Sequence, residues 1–212
     1  MVRVYVVFYS RTGNTAALAQ AVAEGAGRVP DTEVLLRRVA ELAPQQVIDQ
    51  DPRWKATQEL LAPIPEADIW EMAETDAVIF GSPTRYGNMT AQLKNFIDQT
   101  GPLWVQGRLI DKVAAVFTSN SSLHSGKEST LITMIIPLFH LGFVVSGVSP
   151  ALPEVERAGS FYGAASTSGP NADIPPTPQD LVVARAEGER VAWIASWIKA
   201  GKAALAGPAA GK

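Results

Sequence analysis

The sequence predicts an α/β fold: one five-stranded, parallel, doubly wound sheet with helices on both faces. Five short apolar runs alternate along the chain with segments whose apolar residues have helical spacing. The first run starts at residue 2, and strands separated by helices form βαβ units, in which the strands run parallel. The chain has 212 residues, 47% of them hydrophobic, which is enough for one sizeable core.

Each predicted strand is a short apolar run bounded by turn residues. Val2–Tyr9 is almost continuously apolar and ends at Ser10, which is typical of a strand buried on both faces. The other four predicted strands are Val34–Val39, Thr75–Gly81, Val113–Thr118 and Phe143–Val148.

The predicted helices carry their apolar residues on one face, and Gly142 is a suitable residue to end the third of them. The four helices are Asn14–Ala26, Met89–Thr100, Glu128–Leu141 and Gln179–Lys199.

The chain is expected to form a single domain over residues 1–200, followed by a loose tail over residues 201–212. Two insertions interrupt the domain, near residues 40–66 and 149–178. The first contains four prolines, and the second is rich in Gly, Pro, Ser and Ala. Such insertions are either tolerated surface loops or parts of a subunit interface or a site.

Composition and charge exclude several classes of function. The formal net charge is -3, so a nucleic-acid partner is not expected. Cysteine is absent and there are only two histidines, so neither a disulfide nor a metal site is expected. The N-terminal run lacks a signal-peptide cleavage site, and no apolar run reaches the length of a membrane span. We therefore expect a cytoplasmic protein without a membrane span.

A polar loop joins the first predicted strand to the first predicted helix. A glycine in such a turn lets successive N–H groups converge, hydroxyls add donors, and the helix N-terminus favours negative charge. Without a ligand, the same pattern would be a helix cap. Its position at the carboxyl end of a parallel strand, where ligands bind, favours a phosphate. The loop consists of Ser10, Arg11, Thr12, Gly13, Asn14 and Thr15.

The two common nucleotide-binding motifs are not met. In a Walker A loop Ser or Thr follows Gly-Lys, but here Glu128 follows Gly126-Lys127, and Ser121 stands where the first glycine belongs. The dinucleotide motif opens a helix after a strand, whereas Gly25-Ala26-Gly27 follows a helix. The phosphate therefore belongs to another ligand.

Two further polar loops follow the third and fourth predicted strands: Gly81–Met89 and Ser119–Gly126. When the first and third strands lie side by side, their loops face one crevice. Tyr86 offers an aromatic wall for a flavin ring, beside backbone shaped by Gly81 and Pro83. Either loop alone would be an ordinary turn, but three such loops together form a coherent site.

These loops resemble those of known flavoproteins. The first matches the Ser/Thr-x-Thr-Gly-x-Thr phosphate loop of flavodoxins, and Gly81–Met89 resembles a nine-residue signature of the WrbA family of NAD(P)H:quinone oxidoreductases. The resemblance implies a flavodoxin-like sheet with strand order 2-1-3-4-5. Further similarity covers most of the chain, in Phe96–Gly101 with Leu103-Trp104, Phe161–Ala164 and Arg185–Gly188.

The resemblance also implies a site for non-covalent FMN. The first loop would bind the FMN phosphate and the second the isoalloxazine ring, and the loop after the fourth strand would be the third part of the site. A cation at Arg85 would favour the negatively charged reduced flavin. The implied FMN-binding residues are Ser10, Arg11, Thr12, Gly13, Asn14, Thr15, Pro83, Thr84, Arg85, Tyr86, Gly87, Asn88, Ser119, Asn120, Ser121 and Ser122.

The resemblance further implies catalytic roles for Trp104 and His140, in flavin sites that neighbouring subunits of a homo-tetramer build together. From the residues alone, Trp104 is more typical of a core aromatic and His140 of a capping or core histidine near a helix C-terminus. The implied reaction is two-electron reduction of quinones by NADH or NADPH, the two substrates using one flavin site in turn. The alternatives are a flavodoxin-type electron carrier and a non-enzymatic flavin-binding partner protein.

Overall fold

A parallel sheet organises the structure, a computed structural model that describes residues 1–206. The strand order is β2-β1-β3-β4-β5, as the sequence predicts, and a sixth short strand pairs with β4 beyond the end of β5. The strands are β1 (Val2–Phe8), β2 (Thr32–Arg38), β3 (Ala77–Pro83), β4 (Val113–Asn120), β5 (Val144–Val145) and β6 (Ala165–Thr167).

Helices cover both faces of the sheet. No helix within residues 1–206 is at once long enough and apolar enough to cross a membrane. The helices are α1 (Asn14–Ala26), α2 (Gln45–Ile48), α3 (Pro52–Leu61), α4 (Ile69–Ala73), α5 (Ala91–Asp98), α6 (Gly101–Val105), α7 (Lys127–His140) and α8 (Pro178–Leu205).

The apolar side chains form one core on each face of the sheet. Helices α1 and α8 pack together on one face and contribute Leu18 and Val191, while α5 and α7 contribute Leu93 and Met134 on the other. Helices α1 and α8 approach closely because glycines face the contact. A methyl group on Gly188, for example, would lie 2.0 Å from the carbonyl oxygen of Val22. The sheet is therefore buried on both faces, and its loops are left to carry polar chemistry.

The predicted fifth strand, Phe143–Val148, is shorter than expected. Only Val144 and Val145 pair with β4 in the sheet. Three residues further on, the Val148 N–H donates to the carbonyl oxygen of Phe161 at 3.1 Å, which draws the chain toward the later insertion.

Both predicted insertions contain ordered elements. Residues 40–66 form α2 and α3, and Asp51 caps the start of α3, because its carboxylate accepts from the N–H groups of Arg53 and Trp54. Residues 149–178 contain a 3₁₀ turn at Pro153–Glu156 and β6.

Helix α8 continues to Leu205, so the first five residues of the predicted loose tail are helical. Their side chains are exposed, and they extend a helix whose buried face ends near Ala195. Residues 207–212 of that tail lie outside the described residues.

Candidate functional site

The three polar loops meet in one crevice at the carboxyl ends of the central strands. Because β3 pairs with both β1 and β4, the loops that follow these strands are neighbours. They enclose a cavity of about 350 Å³, and residues 168–172 of the later insertion close one side of it. The lining residues are Arg11, Thr12, Asp51, Pro83, Thr84, Arg85, Ser119, Asn120, Ser121, Ser168, Pro170, Asn171 and Ala172.

The first loop has the form of an anion-binding turn. Gly13 has a φ of 94°, and its N–H donates to the hydroxyl oxygen of Ser10 at 3.1 Å. A side chain at Gly13 would meet no atom within 4 Å, so the space beside the loop is open. Helix α1 begins at the next residue, and the first N–H groups of a helix have no acceptor within it.

Side chains of this loop are anchored on two sides. The hydroxyls of Thr15 and Ser119 are 2.7 Å apart, which joins the first loop to the third. The Asn14 amide donates to the carbonyl oxygen of Ala172 at 3.3 Å, while its own oxygen is buried without a partner in residues 1–206. A phosphate monoester requires several converging donors and no nearby carboxylate. This loop offers hydroxyls, free amide groups and a glycine turn, and it contains no acidic residue.

The second loop is a tight hairpin after β3. Arg85 and Asn88 exchange backbone hydrogen bonds of 2.7 and 3.0 Å, and both residues between them have positive φ, 53° at Tyr86 and 76° at Gly87. Pro83, Thr84 and Arg85 line the crevice, but Tyr86 is fully exposed at the hairpin tip, and Gly87 and Asn88 are not among the lining residues. The aromatic wall expected from Tyr86 is therefore not formed within a single chain.

Arg85 places a partly desolvated cation in the crevice. Its guanidinium donates to the carbonyl oxygen of Thr84 at 2.8 Å, and burial lowers the pKa of Arg85. No carboxylate pairs with it in the part of the chain that the structure describes. The crevice therefore offers a charge that an anionic ligand can neutralise.

The third loop is held by backbone and side-chain contacts. The Thr84 N–H donates to the carbonyl oxygen of Ser119 at 2.8 Å, and the carbonyl oxygen of Asn120 accepts from the Ser168 N–H at 2.7 Å. The Asn120 amide donates to the carbonyl oxygen of Ser122 at 2.7 Å. Ser121 lines the crevice, whereas Ser122 is exposed and does not.

Sequence reasoning missed a polar cluster that the first insertion brings to the crevice. The Arg11 guanidinium lies 3.1 Å from the carboxylate of Asp51 and 4.2 Å from the ring centre of Trp54, over which it stacks. Hydrogen bonds from the Trp54 amide and then from Arg11 hold the pKa of Asp51 below its usual value. The adjacent Asp51 and Pro52 are a helix-start signal from which α3 could have been predicted.

Glu41 holds this cluster in place through three side-chain hydrogen bonds. Its carboxylate accepts from the Tyr9 hydroxyl at 2.7 Å, the Trp54 indole N–H at 3.1 Å and the Gln92 amide at 2.7 Å. Burial alone would raise the pKa of Glu41, but hydrogen bonds from Gln92, from Tyr9 and from the backbone N–H groups of Ala43 and Leu42 outweigh burial and lower the pKa. An ionised Glu41 thereby ties the first insertion to β1 and α5.

Trp104 and His140 lie together but far from the loops of their own chain. The Trp104 indole N–H donates to the carbonyl oxygen of His140 at 2.9 Å, beside a cavity of about 330 Å³ between α5, α6 and the end of α7. Helix α7 starts next to the crevice, since the hydroxyl of Thr84, which lines the crevice, donates to the carbonyl oxygen of Gly126 at 3.5 Å. Its 14 residues span about 21 Å at ~1.5 Å per residue, and His140 is the last of them.

Family comparisons agree with this architecture. The model of the NADPH-dependent FMN reductase family matches residues 5–156. The chain belongs to this family. Membership confirms the resemblance seen in the loop motifs and the predictions of an enzyme with FMN as cofactor and a reduced nicotinamide as co-substrate.

Curated relatives of this FMN reductase family member match over nearly their full length. A protein of Archaeoglobus fulgidus named NAD(P)H dehydrogenase (quinone) is 48% identical over 195 residues, which cover 92% of this chain and 98% of the relative. One of Aromatoleum aromaticum with the same name is 42% identical over 211 residues, covering 95% and 100%.

Solved structures confirm the flavodoxin-like fold. A WrbA-like flavodoxin from Agrobacterium tumefaciens is similar with a TM-score of 0.63 and 25% identity, covering 93% of this chain and 99% of that one. A flavodoxin from the domain Archaea matches with a TM-score of 0.59 and 20% identity, covering 92% and 99%.

Proposed function

We propose that the protein reduces quinones with NADH or NADPH, and that both substrates use the FMN-binding crevice in turn. The observation that carries this proposal is the crevice, in which three polar loops converge at the carboxyl ends of β1, β3 and β4. Relatives at 42–48% identity are named NAD(P)H dehydrogenase (quinone), which supports the choice of substrates. Reduced nicotinamides as substrates are consistent with the cytoplasm as the place of the reaction.

The first loop would hold the FMN phosphate. The hydroxyls of Ser10, Thr12 and Thr15 and the free amide groups at the start of α1 are donors, and Gly13 permits the turn that directs them. The ring system would lie against Pro83–Asn88 and Ser119–Ser122. When bound, FMN supplies the chemistry of taking a hydride and passing on two electrons.

Residues of this chain would orient the substrates and set the charge of the crevice. Arg85 is a desolvated cation without a carboxylate partner among the described residues, and it would favour an anionic ring system beside it. Besides the phosphate loop, the sequence contains no second nucleotide-binding motif, which supports one binding place that the nicotinamide leaves before the quinone enters.

Trp104 and His140 would act in the site of a neighbouring subunit. They lie about a helix length from their own crevice, and Trp104 keeps 61% of its surface exposed. A homo-tetramer would bring Trp104 and His140 to the open side of a neighbouring subunit's crevice. That side lacks an aromatic wall of its own, because Tyr86 is exposed at the hairpin tip.

Steady-state kinetics test the proposal. In the absence of oxygen, NADH or NADPH alone should reduce only the bound FMN of the purified protein, and continuous oxidation should require a benzoquinone. Reciprocal plots of the initial rate against NADH, at several quinone concentrations, should be parallel. Intersecting lines would show that both substrates bind at once, and a protein without turnover would instead be an electron carrier or a binding partner.

A further inference from the structure

Arg11 stands apart from the other residues of the first loop because its guanidinium is engaged by the first insertion. It stacks on the indole of Trp54, and one of its terminal nitrogens, Nη2, pairs with Asp51 at 3.1 Å. Trp54 is itself buried, with 6% of its surface exposed, and its indole N–H is held by Glu41. The plane of the guanidinium is therefore fixed by two contacts from the insertion.

The rest of this guanidinium is available to a ligand. Its Nε and Nη1 atoms have no hydrogen-bond acceptor within residues 1–206, and 40% of the side chain is exposed. The oxygens of Asp51 already accept three hydrogen bonds, from Arg11 and from the N–H groups of Arg53 and Trp54. Asp51 thus orients Arg11 while it has little capacity left to bind a ligand itself.

An arginine with a fixed plane and unused N–H groups at Nε and Nη1 suits a phosphate group, because each free N–H can donate a charge-assisted hydrogen bond to a phosphate oxygen. The FMN phosphate has its own donors in the hydroxyls and amide groups of the first loop. The charged residues that line the crevice are Arg11, Arg85 and Asp51, so the lining carries two positive charges and one negative charge. A second anionic group at this rim would be attracted.

We propose that Arg11, oriented by Trp54 and Asp51, binds a phosphate group of the reduced nicotinamide dinucleotide and thereby sets the affinity for this co-substrate. The inference rests on the proposed function, since it concerns the first of its two substrates. The phosphate is either in the pyrophosphate, which NADH and NADPH share, or the 2′-phosphate, which NADPH alone carries.

The test compares Arg11→Ala with the wild-type holoenzyme and with Arg3→Ala. Arg3 is a suitable control because it is also a partly exposed arginine paired with one carboxylate, that of Glu33 at 2.8 Å, and it lies at the start of β1, away from the crevice. KM is measured for NADH, NADPH and the mononucleotide NMNH, and the Kd of FMN is measured by fluorescence.

We expect the KM of Arg11→Ala to rise about ten- to hundredfold for the dinucleotide, which is the loss of one charge-assisted contact, with kcat and the Kd of FMN nearly unchanged. Equal rises for NADH and NADPH assign the pyrophosphate; a rise for NMNH as well places the contact on the nicotinamide-side phosphate, which NMNH retains, and no rise for NMNH places it on the adenosine-side phosphate. A rise for NADPH alone assigns the 2′-phosphate. Arg11→Lys keeps the charge without the planar fork, and it should recover only part of the loss.

Two results would overturn the inference: unchanged KM values, or a weaker FMN affinity in place of a higher KM, which would assign Arg11 to the cofactor. Binding of tetrahydro-NADPH, a dinucleotide that cannot transfer hydride, to the FMN-loaded protein tests the same contact without turnover. If the wild type binds this analogue through Arg11 but reduces no quinone, the inference stands and the proposed function is refuted.

Discussion

The loop crevice and the Trp104–His140 pocket lie at opposite ends of α7 and differ in how complete each is within one chain. In the crevice, polar groups from three loops and both insertions already contact one another. In the pocket, one indole hydrogen bond joins two exposed residues, and the rest of the lining is mostly apolar, with Asp98 and Thr100 as its other polar side chains. The proposed composite site fits this difference: a chain would hold FMN in its own crevice, and a neighbouring subunit would supply the substrate wall.

The largest effect is expected on FMN affinity, when hydroxyl donors are removed from the phosphate loop of the crevice. Replacing Thr12 and Thr15 by valine removes two hydroxyl donors, each worth about 1.5–3 kcal/mol to a charged ligand. The affinity for FMN, measured by fluorescence titration, should fall by well over an order of magnitude. Thr57→Val is the matched control, because Thr57 is also buried but lies in α3, away from the loop. Unchanged affinity in the double variant would remove the phosphate assignment.

A second prediction concerns the buried support just before β6, the strand that leads into the residues closing one side of the crevice. Glu187 of α8 is buried, and its carboxylate accepts a hydrogen bond of 3.0 Å from the N–H of Ala164, the residue just before β6. Burial raises the pKa of Glu187 from 4.5 to about 8. The folded chain therefore holds this proton more tightly than the unfolded chain. Its stabilising effect is complete below pH ~4.5 and is lost as the pH rises toward about 8.

Glu187→Gln should remove this pH dependence while keeping the shape of the side chain. Between pH 5 and 8, the free energy of unfolding of the wild type should fall relative to that of the variant by a few kcal/mol. Urea denaturation at several pH values measures the difference. Parallel pH profiles for the two proteins would show that the carboxyl does not titrate with a raised pKa.

The smallest expected effect concerns the pocket. If neighbouring subunits complete each site, Trp104→Ala should lower quinone reduction per bound FMN by roughly fivefold, the cost of truncating one well-packed interface aromatic. Dilution of the wild type should lower activity together with the oligomer, as followed by light scattering. The Kd of FMN should change little in either case. A monomer with full activity per flavin would contradict the composite site.

The central architecture could be predicted because it follows from long apolar patterns. Helix α1 has the predicted bounds, and β1 and β4 differ from the predictions by two residues or fewer at either end. Strand β6 escaped prediction because its three residues are too few to show a period. Its place is set by pairing with β4, which is remote in sequence.

The site was predicted less completely than the fold. Loop motifs identified residues that line the crevice, such as Thr12 and Ser119, because ligands of parallel sheets bind at strand ends. The contacts of Arg11 with Asp51 and Trp54 depend on how an insertion folds back 40 residues along the chain. No local pattern around Arg11 encodes that contact.

The edge of the sheet beside β4 has a consequence for aggregation. Two separate strands share this edge: β5 pairs with residues 113–114 and β6 with residues 118–120 of β4. The outer border is therefore a broken line of two- and three-residue segments, not a continuous row of free N–H and C=O groups. An exposed β-strand of another protein would find no template of useful length there, so this border is protected against the edge-to-edge pairing that starts fibril growth.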